Sequence, residues 1–217
     1  MTNFAFSRPK QYEAQAEGLW RLDGSSRVIL MDGSVPWEDV AACVNLLGEE
    51  YPELGAAAQL RNVEAMPGDL VVRVGEPQAL ASVETWQEGY VIEAGPVTEL
   101  TAQSAQAVLY GLRTIMEALA GGGLSYGRMV DFPQTQERGF HLDAGRKFYT
   151  KDWIVRLIRE LSRSRMNVLW LHFSENEGFR IASDRHPELP SLHHLTKAEV
   201  REIIRTANAY HIDINPA

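Results

Sequence analysis

Two stretches decide the reading of this chain: Arg138-Gly-Phe-His-Leu-Asp143-Ala-Gly-Arg146-Lys-Phe-Tyr149 and Met166-Asn167-Val-Leu-Trp-Leu-His172-Phe-Ser-Glu175-Asn-Glu177-Gly178-Phe-Arg180. Residues 139–142 are short and apolar enough for a strand. Thr150 then stands where an N-cap belongs, ahead of Trp153, Ile154, Leu157, Ile158 and Leu161 at helical spacing. Residues 167–173 form a nearly unbroken apolar run, the pattern of a strand buried on both faces of a parallel sheet. Downstream, Thr196-Lys-Ala-Glu199 has the form of a capping box, and Val200, Ile203, Ile204 and Ala207 supply the buried stripe of a second helix. Residues 212–216 begin a third strand. Strand, helix, strand, helix, strand suits a doubly wound sheet or the opening of a (β/α)8 barrel, and periodicity alone leaves both open.

Upstream, residues 25–130 mix strand and helix. The run 27–31 ends in Asp32-Gly33-Ser34 and is followed by Trp37, Val40, Ala41, Val44 and Leu47 on one helical stripe. Residues 69–74 and 89–94 are β-branched or aromatic runs bounded by Gly and Pro, as strands should be. A second helix is expected from a Thr101 N-cap to Leu119, ending at Gly121-Gly122-Gly123. The glycine-rich stretch 121–127 follows a helix and lacks the Lys-Ser/Thr ending of a phosphate loop, so it reads as a domain linker.

Charge marks the same division. Residues 1–130 carry 8 basic and 17 acidic side chains, whereas 131–217 carry 13 and 12. Neither part offers the basic excess that nucleic acid or an anionic membrane requires, so neither is expected as a partner. The 45% hydrophobic content is enough for buried cores, giving two expected domains, 1–130 and 131–217. Cys43 is the only cysteine, which excludes an intramolecular disulfide and fits a packed thiol better than a nucleophile. The first ten residues lack an apolar core with a cleavage site, and no run reaches membrane-spanning length; a cytoplasmic protein is the expectation. All six histidines lie between 141 and 211, but without a metal-ligand spacing, so neither a metal nor another cofactor is expected. No glycine-rich turn follows an expected strand, which argues against a dinucleotide-binding fold.

The two opening stretches resemble the start of the catalytic barrel in family 20 glycoside hydrolases, where an Arg-Gly-x-x-x-Asp-x-x-Arg motif precedes a helix and an Asn-x-x-x-x-His motif leads to an acidic loop and Gly-aromatic-Arg. Glu88-Gly-Tyr90, Leu109-Tyr-Gly-Leu-Arg-Thr114 and Asp131-Phe-Pro133 look like markers of the non-catalytic α/β domain that precedes this barrel. The Ser-Glu-Asn-Glu-Gly-Phe loop looks closest to the bacterial lacto-N-biosidase-like and hexosaminidase branch. The implied fold class is α/β: an N-terminal α/β sandwich, then the first three strands and two helices of an incomplete (β/α)8 barrel.

The resemblance also implies a chemistry. Such enzymes remove terminal β-linked N-acetylhexosamine, the substrate's acetamido oxygen attacking the anomeric carbon while an Asp orients it and a neighbouring Glu serves as acid and then base. That pair follows the family's fourth strand and has no counterpart here, so the chain is expected to be truncated and inactive. Arg138 is the expected substrate-binding residue, a planar fork of donors suited to adjacent sugar hydroxyls. Asp143, Arg146, His172, Glu175 and Glu177 are expected to support the rim. The expected partner is an N-acetylhexosamine-terminated oligosaccharide, with self-association through an open barrel edge. The rival reading is a natural, non-catalytic chain that binds a glycan or a protein.

Overall fold

A computed structural model describes residues 8–217; of the N-terminal decapeptide read for a leader, the first seven residues lie outside it. The chain divides into two compact units between Gln136 and Glu137.

The first unit is built on a seven-stranded sheet in the order β1-β7-β5-β6-β4-β2-β3. Its elements are β1 (Gln11–Trp20), β2 (Arg27–Leu30), α1 (Trp37–Gly48), α2 (Pro52–Ala56), β3 (Ala58–Arg61), β4 (Leu70–Val74), β5 (Tyr90–Ala94), β6 (Thr98–Ala102), α3 (Ala105–Ala120) and β7 (Leu124–Asp131). Strands β3, β2, β4 and β6 run parallel, whereas β5, β7 and β1 join antiparallel. The runs expected at 27–31, 69–74 and 89–94 are β2, β4 and β5, and the stripe after Trp37 is α1. Val40, Val44 and Leu47 of α1 are buried. α3 packs on β4 to β7 and against α1.

Two expectations fail here for tertiary reasons. Thr101 does not cap α3: Thr98-Glu-Leu-Thr-Ala102 alternates buried and half-buried and fills the slot between β4 and β5, so the helix starts later. Ser104 is the cap, accepting from the Ala107 N–H at 3.2 Å. The glycine stretch is not a linker, because Leu124–Asp131 becomes β7, paired on both sides. Gly127 has φ +143°, and a Cβ there would lie 2.2 Å from the Glu13 carbonyl oxygen, so β1 can approach only a glycine. The charge step near residue 130 therefore falls inside a strand, and the unit ends six residues later.

The upstream markers are core. The Tyr90 hydroxyl lies 2.6 Å from Thr114 Oγ1 and donates to Asp131 Oδ2 at 2.9 Å, tying β5, α3 and β7 together. Gly111 faces Leu100, whose Cδ1 would sit 2.4 Å from any added Cβ. Arg113 is fully buried and reaches Glu50 with both terminal nitrogens at 3.2 Å. Cys43 is buried, with burial pushing its thiol up to about 12, so it stays protonated and packed.

The second unit comprises β8 (Gly139–Asp143), α4 (Lys151–Arg163), β9 (Val168–His172), the two-residue strands β10 (Ser174–Glu175) and β11 (Gly178–Phe179), α5 (Lys197–Ala209) and β12 (Asp213–Pro216). Strands β8, β9 and β12 form a parallel sheet in sequence order, each added to the same growing edge. Thr150 caps α4 as expected, and Thr196 closes a full capping box on α5. Replacing Thr196 by Ala should cost about 1 kcal/mol, visible as a lower urea midpoint at unchanged slope. An unchanged midpoint would mean water caps the helix equally well.

β9 is not buried on both faces. Leu169 and Leu171 are buried, but Trp170 is 37% exposed on the face that also carries His141 and Asn215 at paired positions. The apolar run hides this because tryptophan counts as apolar wherever it points.

Candidate functional site

Functional side chains of parallel βα units gather where the strands end and the loops begin. In the second unit, the C-terminal ends of β8 and β9 are stitched together: the N–H groups of Ala144 and Gly145 both donate to the His172 carbonyl, at 2.7 and 3.0 Å. A Cβ on Gly145 would lie 2.7 Å from Glu175 Cβ and 3.0 Å from its backbone nitrogen, so glycine lets the two loops meet. Three charged residues come together there. The Arg146 N–H donates to Asp143 Oδ1 at 3.0 Å, and its guanidinium lies 3.4 Å from both Asp143 Oδ2 and Glu175 Oε1. His172 ends β9, half-buried, with His141 at 5.6 Å between ring centroids.

The electrostatics of the two carboxylates agree. The Arg146 backbone N–H, with the nearby guanidinium, holds Asp143 below the usual carboxylate range. Glu175 is also lowered, first by the Asn176 N–H on its own carboxylate and then by Arg146. Both are ionised near neutrality and serve as acceptors and counter-charges. Neither can hold a proton there as a general acid must.

Arg146 is 64% exposed, and its ion contacts at 3.4 Å are long, so donor capacity of its fork remains for a ligand. Arg138 lies at the opposite end of β8. Its N–H donates to Asn167 Oδ1 at 2.8 Å and its Nε to the Arg165 carbonyl at 2.7 Å, while the Arg138 carbonyl accepts from Asn167 at 3.0 Å. These bonds set the starts of β8 and β9 side by side. From Arg138 to Asp143 at the charged rim the chain runs the length of β8, roughly 16 Å when extended.

Glu177 is exposed at the tip of the β10–β11 hairpin, whose two-residue turn is Asn176-Glu177; it has no part in the Arg146 contacts given above. Arg180 does more than its place in a motif suggested. Its Nε donates to the carbonyls of Ala144 and Gly145, both at 3.2 Å, and its Nη1 to that of His193 at 3.2 Å. It thus clamps the loop carrying Arg146 to the loop before α5. Its place after a Gly-aromatic pair was the sequence signal for it. Among the described residues, no group of three His, Cys, Asp or Glu could hold a metal ion.

Comparisons with known proteins bear on the family and the fold. The family model described as "Glycosyl hydrolase family 20, catalytic domain" matches residues 136–217. "Beta-hexosaminidase B" from Pseudoalteromonas piscicida is 24% identical over 168 residues, 69% of this chain and 22% of that protein. The family 20 β-N-acetylhexosaminidase from Streptomyces coelicolor A3(2) superposes with a TM-score of 0.79 at 22% identity, over 96% of this chain and 44% of that one. A Streptomyces plicatus β-hexosaminidase in complex with its product GlcNAc gives 0.78 at 23% identity, with the same coverage. This chain thus spans about a fifth of the curated relative and under half of either solved chain. At such identities the structural likeness carries the fold.

Proposed function

Since residues 136–217 belong to glycosyl hydrolase family 20, we propose that this chain serves a β-N-acetylhexosaminidase-type glycosidase, contributing the part of its site that grips the terminal sugar. In this reading the second unit is the opening of a (β/α)8 barrel, supported by three parallel strands in sequence order with a helix after each of the first two. The sugar meets the C-terminal ends of those strands. Arg146, which stands at those ends, is the donor proposed for its hydroxyls. The observation that carries this is the Asp143-Arg146-Glu175 cluster at the strand ends, where a charged fork is aimed by two ionised carboxylates and left mostly exposed.

The reaction proposed for such an enzyme is substrate-assisted hydrolysis with retention, in which a carboxylic acid of raised pKa protonates the leaving oxygen. Asp143 and Glu175 are both lowered, so neither is suited to that step. Binding without cleavage is the behaviour proposed for these 217 residues by themselves. A chromogenic β-N-acetylglucosaminide offered to this polypeptide should be released no faster than in buffer. Turnover that follows the purified protein would place a general acid within these residues and overturn the reading.

A further inference from the structure

The Arg146 side chain does little to hold itself in place. Its guanidinium is 64% exposed and its two ion contacts are 3.4 Å long, a geometry worth little in water, so the carboxylates alone do not fix where the fork points. The backbone beneath it is held more firmly, and a residue from a distant segment does much of the holding.

Two successive peptide units lead into Arg146, and all four of their hydrogen-bonding groups are engaged. In the first, the Gly145 N–H donates to the His172 carbonyl at 3.0 Å, and the Ala144 carbonyl accepts from Arg180 Nε at 3.2 Å. In the second, the Arg146 N–H donates to Asp143 Oδ1 at 3.0 Å, and the Gly145 carbonyl accepts from the same Arg180 Nε, again at 3.2 Å. One N–H is thus shared between both carbonyls. Planar peptides pinned at both edges leave the Arg146 Cα little freedom. Arg180 is itself anchored: its N–H donates to the Phe173 carbonyl at 2.9 Å, its carbonyl accepts from the Leu195 N–H at 2.7 Å, and Leu195 is buried.

A glycine reserves the space for this arrangement. A Cβ on Gly178 would lie 2.6 Å from Arg180 Cζ and 2.8 Å from its Nε, so any side chain there displaces the guanidinium. Gly178 has no positive φ that would require glycine for the backbone's sake. We propose that Arg180, given room by Gly178, is the positioning residue for Arg146, holding the loop so that the terminal sugar meets a fork already aimed. This rests on the functional reading above and deepens it. Without the Arg180 donors the sugar must order that loop and side chain itself, and its affinity falls by the cost of doing so.

Two variants separate position from packing. Arg180→Met keeps the alkyl stem and removes the donors, whereas Gly178→Ala keeps every donor and displaces the guanidinium. Each should weaken binding of N-acetylglucosamine to the 217-residue protein roughly 2- to 10-fold, the cost of ordering one rotamer-rich side chain. Each should also shift the Arg146 Nε–H resonance, assigned with Arg146→Gln, toward that of free arginine. In an Arg146→Gln background neither change should alter affinity by more than about two-fold, because the effect travels through that guanidinium. An unmoved resonance with unaltered affinity, alongside a lower urea midpoint, makes Arg180 a scaffold only and overturns the proposal. So does an equal loss of affinity in both backgrounds. Should Arg180→Met fail to fold, Gly178→Ala decides on the same readings. Absence of sugar binding by the unaltered protein overturns the functional reading and the sugar half of this inference. The Arg146 resonance then judges the positioning alone, and an unmoved signal in Gly178→Ala overturns that as well.

Discussion

Replacing Arg146 by Gln is expected to weaken binding of N-acetylglucosamine to this chain roughly 10- to 100-fold, since charge-assisted hydrogen bonds to the sugar are lost and an amide replaces the fork. Arg138→Gln is the matched control. It should leave the affinity within about two-fold while lowering the unfolding temperature, because the Arg138 Nε to Arg165 carbonyl bond at 2.7 Å secures the start of β8. Titrations followed by NMR, with thermal unfolding of the same samples, separate the two arginines. The opposite pattern, with Arg138→Gln losing the sugar and Arg146→Gln keeping it, would move the ligand to the N-terminal ends of the strands and abandon the proposed site.

The largest stability effect belongs to Arg113. Its side chain is wholly buried and its partner Glu50 is 7% exposed, so truncation leaves a carboxylate in the interior without its counter-charge. Arg113→Ala should cost about 3 to 5 kcal/mol. That corresponds to a fall in melting temperature of roughly 6 to 20 °C for a chain of this size. The double change Arg113→Met with Glu50→Leu should recover much of the loss, because two well-packed apolar groups remove the uncompensated charge along with the pair. Thermal and denaturant unfolding of the three proteins checks both parts. A single variant that loses under about 1 kcal/mol would mean that Glu50 is rehydrated and the pair does little for the fold.

These two arginines show how differently sequence and structure inform on one residue type. Both belong to stretches quoted for their motifs, yet no local pattern distinguishes an arginine sealed under a helix from one standing on a rim. Arg138 and Arg146 lie eight residues apart, and a fork of donors suits sugar hydroxyls equally well in either. What separates them is strand direction. A parallel βα unit presents its C-terminal ends to the loops, and β8 starts after Arg138 and finishes before Arg146. The motif was legible; where each guanidinium is held depends on residues 27 and 29 positions away.

Much of the local structure was written in the chain itself. Thr150 and Thr196 cap their helices as their spacing implied, since a cap is a contact among residues three apart and needs no tertiary partner. The βα alternation after residue 138, the β-branched and aromatic runs of β4 and β5 and the packed state of Cys43 were likewise set by periodicity and composition. Three things were decided only by the folded molecule. The segment around Thr101 became β6 because a gap between two strands needed filling, and the glycine-rich stretch became β7 because only glycine admits β1 so closely. Trp153 and Trp170 are left partly exposed, which hydrophobic pattern does not show because it counts an indole as apolar regardless of what lies across from it. For both strands the deciding contact joins residues distant in sequence, and its free energy appears only when the chain has already brought them together.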